Sequence, residues 1–390
     1  KNSKFIFIYL LFNNNPIKLF RAVIAALIFL FNNPVDAKAF YNRALWIVRD
    51  HIITKKSADD IIAFAETNDY NILFIQIRGR GDAYYSSKIV PRTHLLKETD
   101  FDPLQYILRK SKDRDLQIHA WMNVYYLWSS YEKPKQNDHA LLNHHEWLDN
   151  KTPDYMDVPQ MLSLMKKNKK INGEGFYLAP THPEVDAHLQ NVITELLQNY
   201  QLDGIHFDYI RYHAAGWGMN PTGLKLFLNQ SSAMPGLPSL DLQNKPNFSE
   251  FKKLAITKFL KKSSMRIRAY QPNCIVSAAV KPNLESAHKH FGQAWDVWLD
   301  KGYIDWAVPM NYTKENKTFK NNILSMKQGV SPDLIDNIIM GIGIYNQGYK
   351  SAGQKIIETE KHKFGGVSIF SYTVFKNNLS YSKKLNKYMD

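Results

Sequence analysis

The stretch that decides the fold runs from residue 202 to residue 212 and reads Leu202-Asp203-Gly204-Ile205-His206-Phe207-Asp208-Tyr209-Ile210-Arg211-Tyr212. It has the pattern of an apolar β-strand that ends in ionisable and aromatic residues. Side chains alternate between the two faces of a strand, so Phe207 lies on one face while His206 and Asp208 share the other. A carboxylate on a buried face is costly to desolvate unless it is paired or used. Asp208 is therefore either half of a structural ion pair, for example with Arg211, or a catalytic carboxylate.

Similar apolar runs recur along the chain, and most are separated by helical patterns. The eight runs are 43–49, 71–78, 117–125, 203–209, 275–280, 304–310, 338–344 and 366–370. Helix start signals occur at Ser57, at Asp102 and at the capping box that begins with Thr181. Eight strand and helix units in one domain predict a (β/α)8 TIM barrel. A doubly wound open sheet is the alternative, but no Gly-x-Gly-x-x-Gly follows the first strand.

The length of the chain fits one large domain, 38–390, with two long insertions. A TIM barrel needs about 250 residues, which leaves room for insertions at 129–180, after the third barrel strand, and 213–248, after the fourth. Glycines and prolines in the second insertion predict irregular structure there. Both insertions leave the carboxyl ends of strands, where barrel active sites are built.

The first 37 residues have the composition of a targeting segment. Lys18 and Arg21 precede the apolar run 22–31, and small residues that end at Ala37 fit a cleavage site before Lys38. The run is short for a membrane span, which needs about 20 residues. We therefore expect an exported periplasmic or extracellular protein, without a membrane span in the mature chain. A retained amino-terminal anchor is the alternative, because residues 5–12 are also apolar.

Charge and cysteine content limit the class of protein. The chain carries 50 basic and 36 acidic residues. Four of the basic residues and one of the acidic residues lie in 1–37, so the rest of the chain has a net charge of +11. A basic balance can attract nucleic acid, anionic lipid or acidic polysaccharide. The lysines are widely spread, however, and no nucleic-acid-binding motif is present. The single cysteine, Cys274, excludes a disulfide scaffold.

Five segments resemble the bacterial glycosyl-hydrolase-like family 10: RALWIVR (43–49), QIRGRGDAYY (76–85), AWMNVY (120–125), DGIHFDYIRY (203–212) and VPMNY (308–312). The resemblance covers nearly the whole chain after residue 40, and the motif at 203–212 is the specific one. It implies a TIM-barrel protein of the glycoside hydrolase superfamily, usually exported, that acts on a glycan. It also implies that Asp208 occupies the position of the catalytic carboxylate, as nucleophile or base.

Glycoside hydrolysis normally needs a second carboxyl group, and the sequence offers two. The carboxyls lie about 5–5.5 Å apart in retaining enzymes and roughly 6.5–9.5 Å apart in inverting ones. The fifth barrel strand ends without a carboxylate, so Glu285 would have to reach back from the following loop. Asp82 competes with it from a glycine-flanked loop after the second strand. We expect the acid to be whichever of the two lies within roughly 10 Å of Asp208.

Several residues at predicted strand ends suit sugar binding. Aromatic rings can face pyranose rings while amides and hydroxyls bond to sugar hydroxyls. The cations would keep Asp208 ionised and would favour an acidic or phosphorylated glycan. The candidates are Arg49, Arg78, Trp121, Asn123, Tyr125, His206, Arg211, Lys281, Asn311 and Tyr312.

No cofactor or metal is expected. A His-x-Asp pair such as His206 and Asp208 can bind a metal, but further ligands at matching strand ends are not evident. Two functions remain open. The first is an exported glycoside hydrolase that cleaves a cell-envelope or extracellular polysaccharide or oligosaccharide. The second is a non-catalytic glycan-binding barrel that lacks an effective acid. The sequence leaves the sugar, the linkage and the stereochemical outcome open.

Overall fold

Eight parallel strands form the central sheet in a computed structural model that describes residues 41–168, 174–231 and 246–389. Their order across the sheet is β8-β7-β6-β3-β2-β1-β10-β9. The strands β4 and β5 form a separate antiparallel pair. In chain order the ten strands are β1 Asn42–Ile47, β2 Ile72–Arg78, β3 Gln117–Asn123, β4 Tyr126–Trp128, β5 Phe176–Tyr177, β6 Gly204–Asp208, β7 Ile275–Val280, β8 Trp306–Pro309, β9 Ile339–Gly343 and β10 Gly366–Phe370.

Two isolated parallel bridges bring the edge strands of this sheet together. Ala307 pairs with Ile338 and Met310 pairs with Gly341, which joins the region of β8 to that of β9. At the other side β1 pairs with both β2 and β10. The eight predicted apolar runs each supply one strand, so the predicted TIM barrel is confirmed.

Helices connect most of the barrel strands, as in an α/β barrel. The bounds are α1 Lys55–Thr67, α2 Pro103–Ser111, α3 Ala140–Asn143, α4 Val158–Asn168, α5 Pro183–Asn199, α6 Pro221–Ser231, α7 Pro246–Tyr270, α8 Leu284–Phe291, α9 Trp295–Asp300, α10 Asn316–Gly329, α11 Tyr349–Lys361, α12 Tyr372–Asn377 and α13 Leu379–Asn386. Short 3-10 helices cover Arg49–His51, His145–Trp147 and Pro332–Asn337.

Helix starts differ from the sequence signals in one place. The N-cap of α1 is Thr54, whose side chain accepts the backbone N–H of Ser57, and Ser57 bonds back in a capping box. Ser57 is therefore the third residue of the helix rather than its cap. The predicted starts at Asp102 and at the Thr181 box are close, since Asp102 and His182 are the N-caps of α2 and α5.

The barrel interior is filled by large side chains that point inward from alternate positions. Trp46 is fully buried and lies edge-on to the rings of Phe74, Trp121 and His206, with centroids 5.0, 4.7 and 4.6 Å away. Its indole N–H donates to the hydroxyl of Ser368. The interior of the barrel is therefore a packed core.

The first insertion lies over this end of the barrel. The strand β4 pairs with β5, and the ring of Tyr126 stacks on Tyr209, which directly follows β6, with centroids 4.4 Å apart. The second insertion is joined to the first, because Asn220 donates to the carbonyls of Glu146 and Leu148. The described part of the second insertion is less irregular than predicted, since Pro221 begins the helix α6.

Residues 1–37, for which the sequence predicts a signal peptide or anchor, lie outside the described residues. The described residues between 41 and 389 form one compact unit by their contacts. Within residues 41–168, 174–231 and 246–389, no helix combines the length and the apolar character needed to cross a bilayer.

Replacement of Trp46 tests whether the stacked interior holds the barrel together. We expect Trp46→Ala to lower the free energy of unfolding by about 3–5 kcal/mol, because it removes a fully buried indole and leaves a cavity. Denaturant unfolding measures the change, and Met265→Ala, at a position 63% exposed, is the control. A loss no larger than that of the control would contradict the account of the core.

Candidate functional site

Asp208 is the last residue of β6 and lies at the carboxyl end of the barrel. It is paired in register with Asn123 of β3 and points to the same side as His206. The side chain is 5% exposed, and its Oδ1 accepts the backbone N–H of Tyr209 at 2.6 Å. No other hydrogen bond joins this carboxyl to the described residues, so its second oxygen is left for substrate or water.

The strand ends at Asp208 because the next residue turns the chain sharply. Tyr209 has a φ of +49°, a left-handed conformation that is uncommon for a non-glycine residue. Strained backbone of this kind persists where the surroundings hold it. Here the carbonyls of Asp208 and Tyr209 accept the N–H groups of Val124 and Tyr125 from the neighbouring segment.

Burial controls the ionisation of Asp208. Desolvation raises the pKa of this carboxyl to about 6, against the Tyr209 N–H and the charges of Arg211 and Lys281, which lower it. The charge of Glu174 raises it further. The cations act on Asp208 in the expected direction, but desolvation outweighs their effect on the pKa. One of these cations, Arg211, is also engaged with another carboxylate.

That carboxylate is Glu174, which the sequence reasoning missed. Both Glu174 oxygens accept from Nη2 of Arg211, at 3.1 and 2.9 Å. Arg211 also donates to the carbonyls of Tyr212 and His213, and its guanidinium lies 4.8 Å from the ring centroid of Tyr209. The structural ion pair considered for Asp208 and Arg211 is thus formed by Glu174 instead.

The pKa values of Glu174 and Asp208 are shifted in opposite directions. Burial opposes the charge of Glu174, but Arg211 and the hydroxyl of Tyr177 more than compensate and hold the pKa of this carboxyl below its usual range. Glu174 is therefore an ionised carboxylate beside a carboxyl with a raised pKa. In enzymes, two carboxyls whose pKa values are shifted apart often divide the work: one is the proton donor and the other stays charged.

A glycine fixes the position of Glu174. Gly175 has a φ of +118°, and a Cβ added there would lie 2.1 Å from the carbonyl oxygen of Trp128. Only glycine fits this approach of β5 to β4. The glycines on both sides of Glu174, just before Phe176 and Tyr177, are the sequence signal that could have identified it.

Lys281 and Tyr312 face the same site from neighbouring strands. Lys281 directly follows β7, and its Nζ lies 4.5 Å from the ring centroid of Phe291. Burial and the charge of Arg211 lower the pKa of Lys281, against the opposing effects of Glu174 and Asp208. The Tyr312 hydroxyl is buried and has no hydrogen-bond partner among the described residues; burial, then the Asp208 charge, raise its pKa.

Three predicted site residues form the walls below the site. Arg78 is buried and donates to the carbonyls at the end of β3, those of Asn123 and Val124. Asn123 donates to the Gly79 carbonyl at 2.7 Å and accepts the indole N–H of Trp121 at 3.0 Å. Trp121 belongs to the packed barrel interior. Their described contacts are internal ones that hold the strand ends in place.

The other predicted binding residues also make internal contacts. Arg49 donates to Gln76 at 2.9 Å. The Nδ1 of His206 lies 2.8 Å from the Ser277 hydroxyl, and burial holds the pKa of this imidazole well below its usual value. Two residues pack towards the outer helices: the ring of Tyr125 against Phe259 of α7, and Asn311 against α10, where it bonds to the Phe319 carbonyl and Asn322.

The two carboxyls predicted as the acid lie in different surroundings. Glu285 is exposed in the first turn of α8, where its negative charge interacts favourably with the helix dipole. Asp82 is buried, and its Oδ1 accepts the N–H of Arg80 at 3.0 Å within its own loop. Neither is hydrogen-bonded to Asp208, Arg211 or Lys281, and their catalytic role stays a prediction. In the described part of the chain no three His, Cys, Asp or Glu side chains are grouped to hold a metal ion.

Comparison with known proteins shows that this chain is similar to proteins named as glycosyl hydrolases. A family model described as Glycosyl hydrolase-like 10 matches residues 41–357. "Glycosyl hydrolase DigH" of Escherichia coli (strain K12) is 26% identical over 154 residues, which cover 35% of this chain and 30% of that protein. "Glycosyl hydrolase YngK" of Bacillus subtilis (strain 168) is 24% identical over 155 residues, which cover 37% and 26%. The matched regions thus span less than a third of these curated relatives.

Solved structures with the same architecture are also glycoside-active proteins. The PgaB (BpsB) glycoside hydrolase domain of Bordetella bronchiseptica matches with a TM-score of 0.64 and 12% identity, over 90% of this chain and 99% of that one. Alpha-L-fucosidase isoenzyme 2 of Paenibacillus thiaminolyticus matches with a TM-score of 0.57 and 13% identity, over 89% and 48%. At this identity the matches show a shared fold.

The raised pKa of Asp208 predicts how stability depends on pH. A carboxyl whose pKa is higher in the folded state loses its stabilising contribution as pH rises from the unfolded value to the folded one. We expect Asp208→Asn to gain on the order of 2–3 kcal/mol of stability relative to wild type between about pH 4 and pH 6, with no further gain above.

Denaturant unfolding at a series of pH values measures this difference. Asp113→Asn, which removes the same charge from an exposed position, is the matched control and should show a small and nearly constant difference. A difference for Asp208→Asn that does not change with pH would show that the carboxyl is not desolvated.

Proposed function

Because this chain belongs to the Glycosyl hydrolase-like 10 family, we propose that it is an exported glycoside hydrolase that cleaves a cell-envelope or extracellular polysaccharide. The observation that carries the proposal is the pair at the barrel mouth. Asp208 is a buried carboxyl with a pKa of about 6, and Glu174 beside it is held ionised by Arg211. Glycoside hydrolysis requires two carboxyls with different pKa values, one that carries a proton and one that is ionised.

In this proposal Asp208 transfers the proton. A pKa near the working pH allows a group to give up a proton and take it back. Asp208 in its protonated form donates to the glycosidic oxygen as the bond from that oxygen to the anomeric carbon breaks; the leaving sugar departs as an alcohol, and the oxocarbenium ion that remains is stabilised by the charge of Glu174. As a carboxylate Asp208 then acts as the base that the sequence suggests, and accepts a proton from the water whose oxygen bonds to the anomeric carbon.

Glu174 and Tyr312 support the reaction without transferring the proton in this proposal. The transition state has oxocarbenium-ion character, so the fixed negative charge of Glu174 stabilises it more than the ground state. The unpartnered Tyr312 hydroxyl is positioned to donate to a sugar oxygen. The stacked rings of Tyr126 and Tyr209 offer an aromatic wall to the substrate.

A second candidate function is a glycan-binding barrel without turnover. It is favoured by the ion pair, because Arg211 and the hydroxyl of Tyr177 already occupy the oxygens of Glu174. A carboxylate held in this way is a weak nucleophile. The two functions differ in whether Asp208 is needed for cleavage.

Substitution of Asp208 separates the two functions. We expect Asp208→Asn to lower kcat by on the order of 10³ or more while largely sparing glycan binding, because the amide keeps the shape but cannot transfer the proton. The assay measures the reducing ends that purified peptidoglycan and exopolysaccharide preparations release. Glu174→Gln should lower kcat as well, while Glu285→Gln and Asp82→Asn test the two predicted acids. Unchanged cleavage by Asp208→Asn would defeat the assignment, and no cleavage by wild type would favour the binding barrel.

The pH dependence distinguishes the roles of Asp208. If the carboxyl must carry its proton into the first step, kcat/KM should fall about tenfold per pH unit above a pKa of about 6. Initial rates from pH 4 to pH 9 give the profile. A kcat/KM that rises through pH 6 would assign Asp208 as nucleophile or base in its ionised form instead.

A further inference from the structure

The barrel mouth contains an ammonium group that has no carboxylate partner among the described residues. The Nζ of Lys281 makes no hydrogen bond or ion pair with residues 41–168, 174–231 or 246–389, and it lies 4.5 Å from the ring centroid of Phe291. Removing a charge from water is costly unless the charge is paired. The half-buried Lys281 ammonium therefore needs a partner that the described residues do not supply.

The backbone of Lys281 is held rigidly although its side chain is not. Its N–H donates to the side chain of Gln293 at 2.9 Å, and its carbonyl accepts the indole N–H of Trp295 at 3.0 Å. Lys281 follows β7, which pairs in parallel with β6, the strand that ends at Asp208. The ammonium is thus presented from a fixed strand end next to the reacting carboxyl.

Neither carboxyl group near Lys281 forms an ion pair with it. Glu174 accepts two hydrogen bonds from Nη2 of Arg211, at 3.1 and 2.9 Å. The described hydrogen bond of the Asp208 carboxyl comes from the Tyr209 N–H. Among the described residues the Lys281 ammonium is therefore left without a carboxylate in direct contact.

We propose that Lys281 binds an anionic substituent of the substrate, a carboxylate or a phosphate ester carried by the sugar next to Asp208. This inference rests on the proposed function and deepens it by naming the class of glycan. An anion on the sugar supplies the partner that the protein leaves out. The net positive charge of the chain, 50 basic against 36 acidic residues, adds long-range attraction for such a polymer.

The alternative role for Lys281 is to tune Asp208 without touching substrate. In that case its removal would change the pH profile of cleavage but would not change which sugars bind. A binding measurement on matched neutral and anionic ligands therefore separates the two roles. It also separates this inference from the proposed function, because it needs no turnover.

The experiment compares methyl β-glucuronide, methyl β-glucoside and glucose 6-phosphate as ligands, with affinities measured by ligand-observed NMR titration. We expect wild type to bind at least one of the two anionic sugars about tenfold more tightly than the neutral glucoside, the effect of one charge-assisted bond. The glucuronide and the phosphate arms distinguish a carboxylate from a phosphate ester.

Variants assign the preference to Lys281. Lys281→Gln should abolish the preference and leave binding of the glucoside unchanged, while Lys281→Arg should retain most of it. Lys289→Gln, which removes the same charge from an exposed position on α8, is the matched control and should behave as wild type. Equal binding of the neutral and anionic sugars, failure of both anionic sugars to bind, or a preference that survives Lys281→Gln would overturn the inference. Turnover that persists in Asp208→Asn would instead remove the proposed function and leave the preference standing.

Discussion

The ion pair between Glu174 and Arg211 is the interaction on which the chemistry of this site depends. Arg211 is 3% exposed, and without Glu174 its charge would be free to act on Asp208. A free guanidinium at close range favours the ionised form of a carboxyl. At Asp208 desolvation is the largest effect and raises the pKa to about 6; Arg211 lowers the pKa, and the charge of Glu174 raises it. In the proposed function this balance favours Asp208 as the proton donor.

This arrangement is held in place at a cost in stability. Asp208 is buried with one hydrogen bond to the described residues, and Tyr209 follows it in a left-handed conformation. Both features are unfavourable on their own. They are tolerated because β6 lies between β3 and β7 in the barrel, where its backbone is bonded on both sides. A rigid interior around Trp46 supports this layer, so the strained residues cannot relax without disturbing the packed core.

The barrel followed from the sequence because each strand carries its own signal. Apolar runs of about the same length recur between helical patterns, and Asp208 is recognisable from its place in one run. Glu174 carries no comparable signal, because it belongs to an insertion and reaches Arg211 only through the pairing of β4 with β5. The raised pKa of Asp208 could not be read from the sequence either, because counting the cations near 208 omits the burial of the carboxyl and the carboxylate that pairs with Arg211. Glu285 and Asp82 were chosen by nearness in sequence to strand ends, whereas the structure places Glu285 in an exposed helix turn and Asp82 in a bond to its own loop.

The site therefore divides into parts that depend on different levels of the fold. Parallel pairing sets the ends of β3, β6 and β7 side by side, which holds Asn123 and Asp208 in register and places Lys281, just after β7, at the same end of the barrel. Glu174 and Tyr177 come from the insertion, and the charge of Glu174 adds to the rise in the pKa of Asp208 that burial causes. A change in the insertion can thus alter the pKa of Asp208 while the barrel stays the same. Lys281 is positioned by the barrel strand that it follows, so the cation belongs to the scaffold while Glu174 belongs to the insertion.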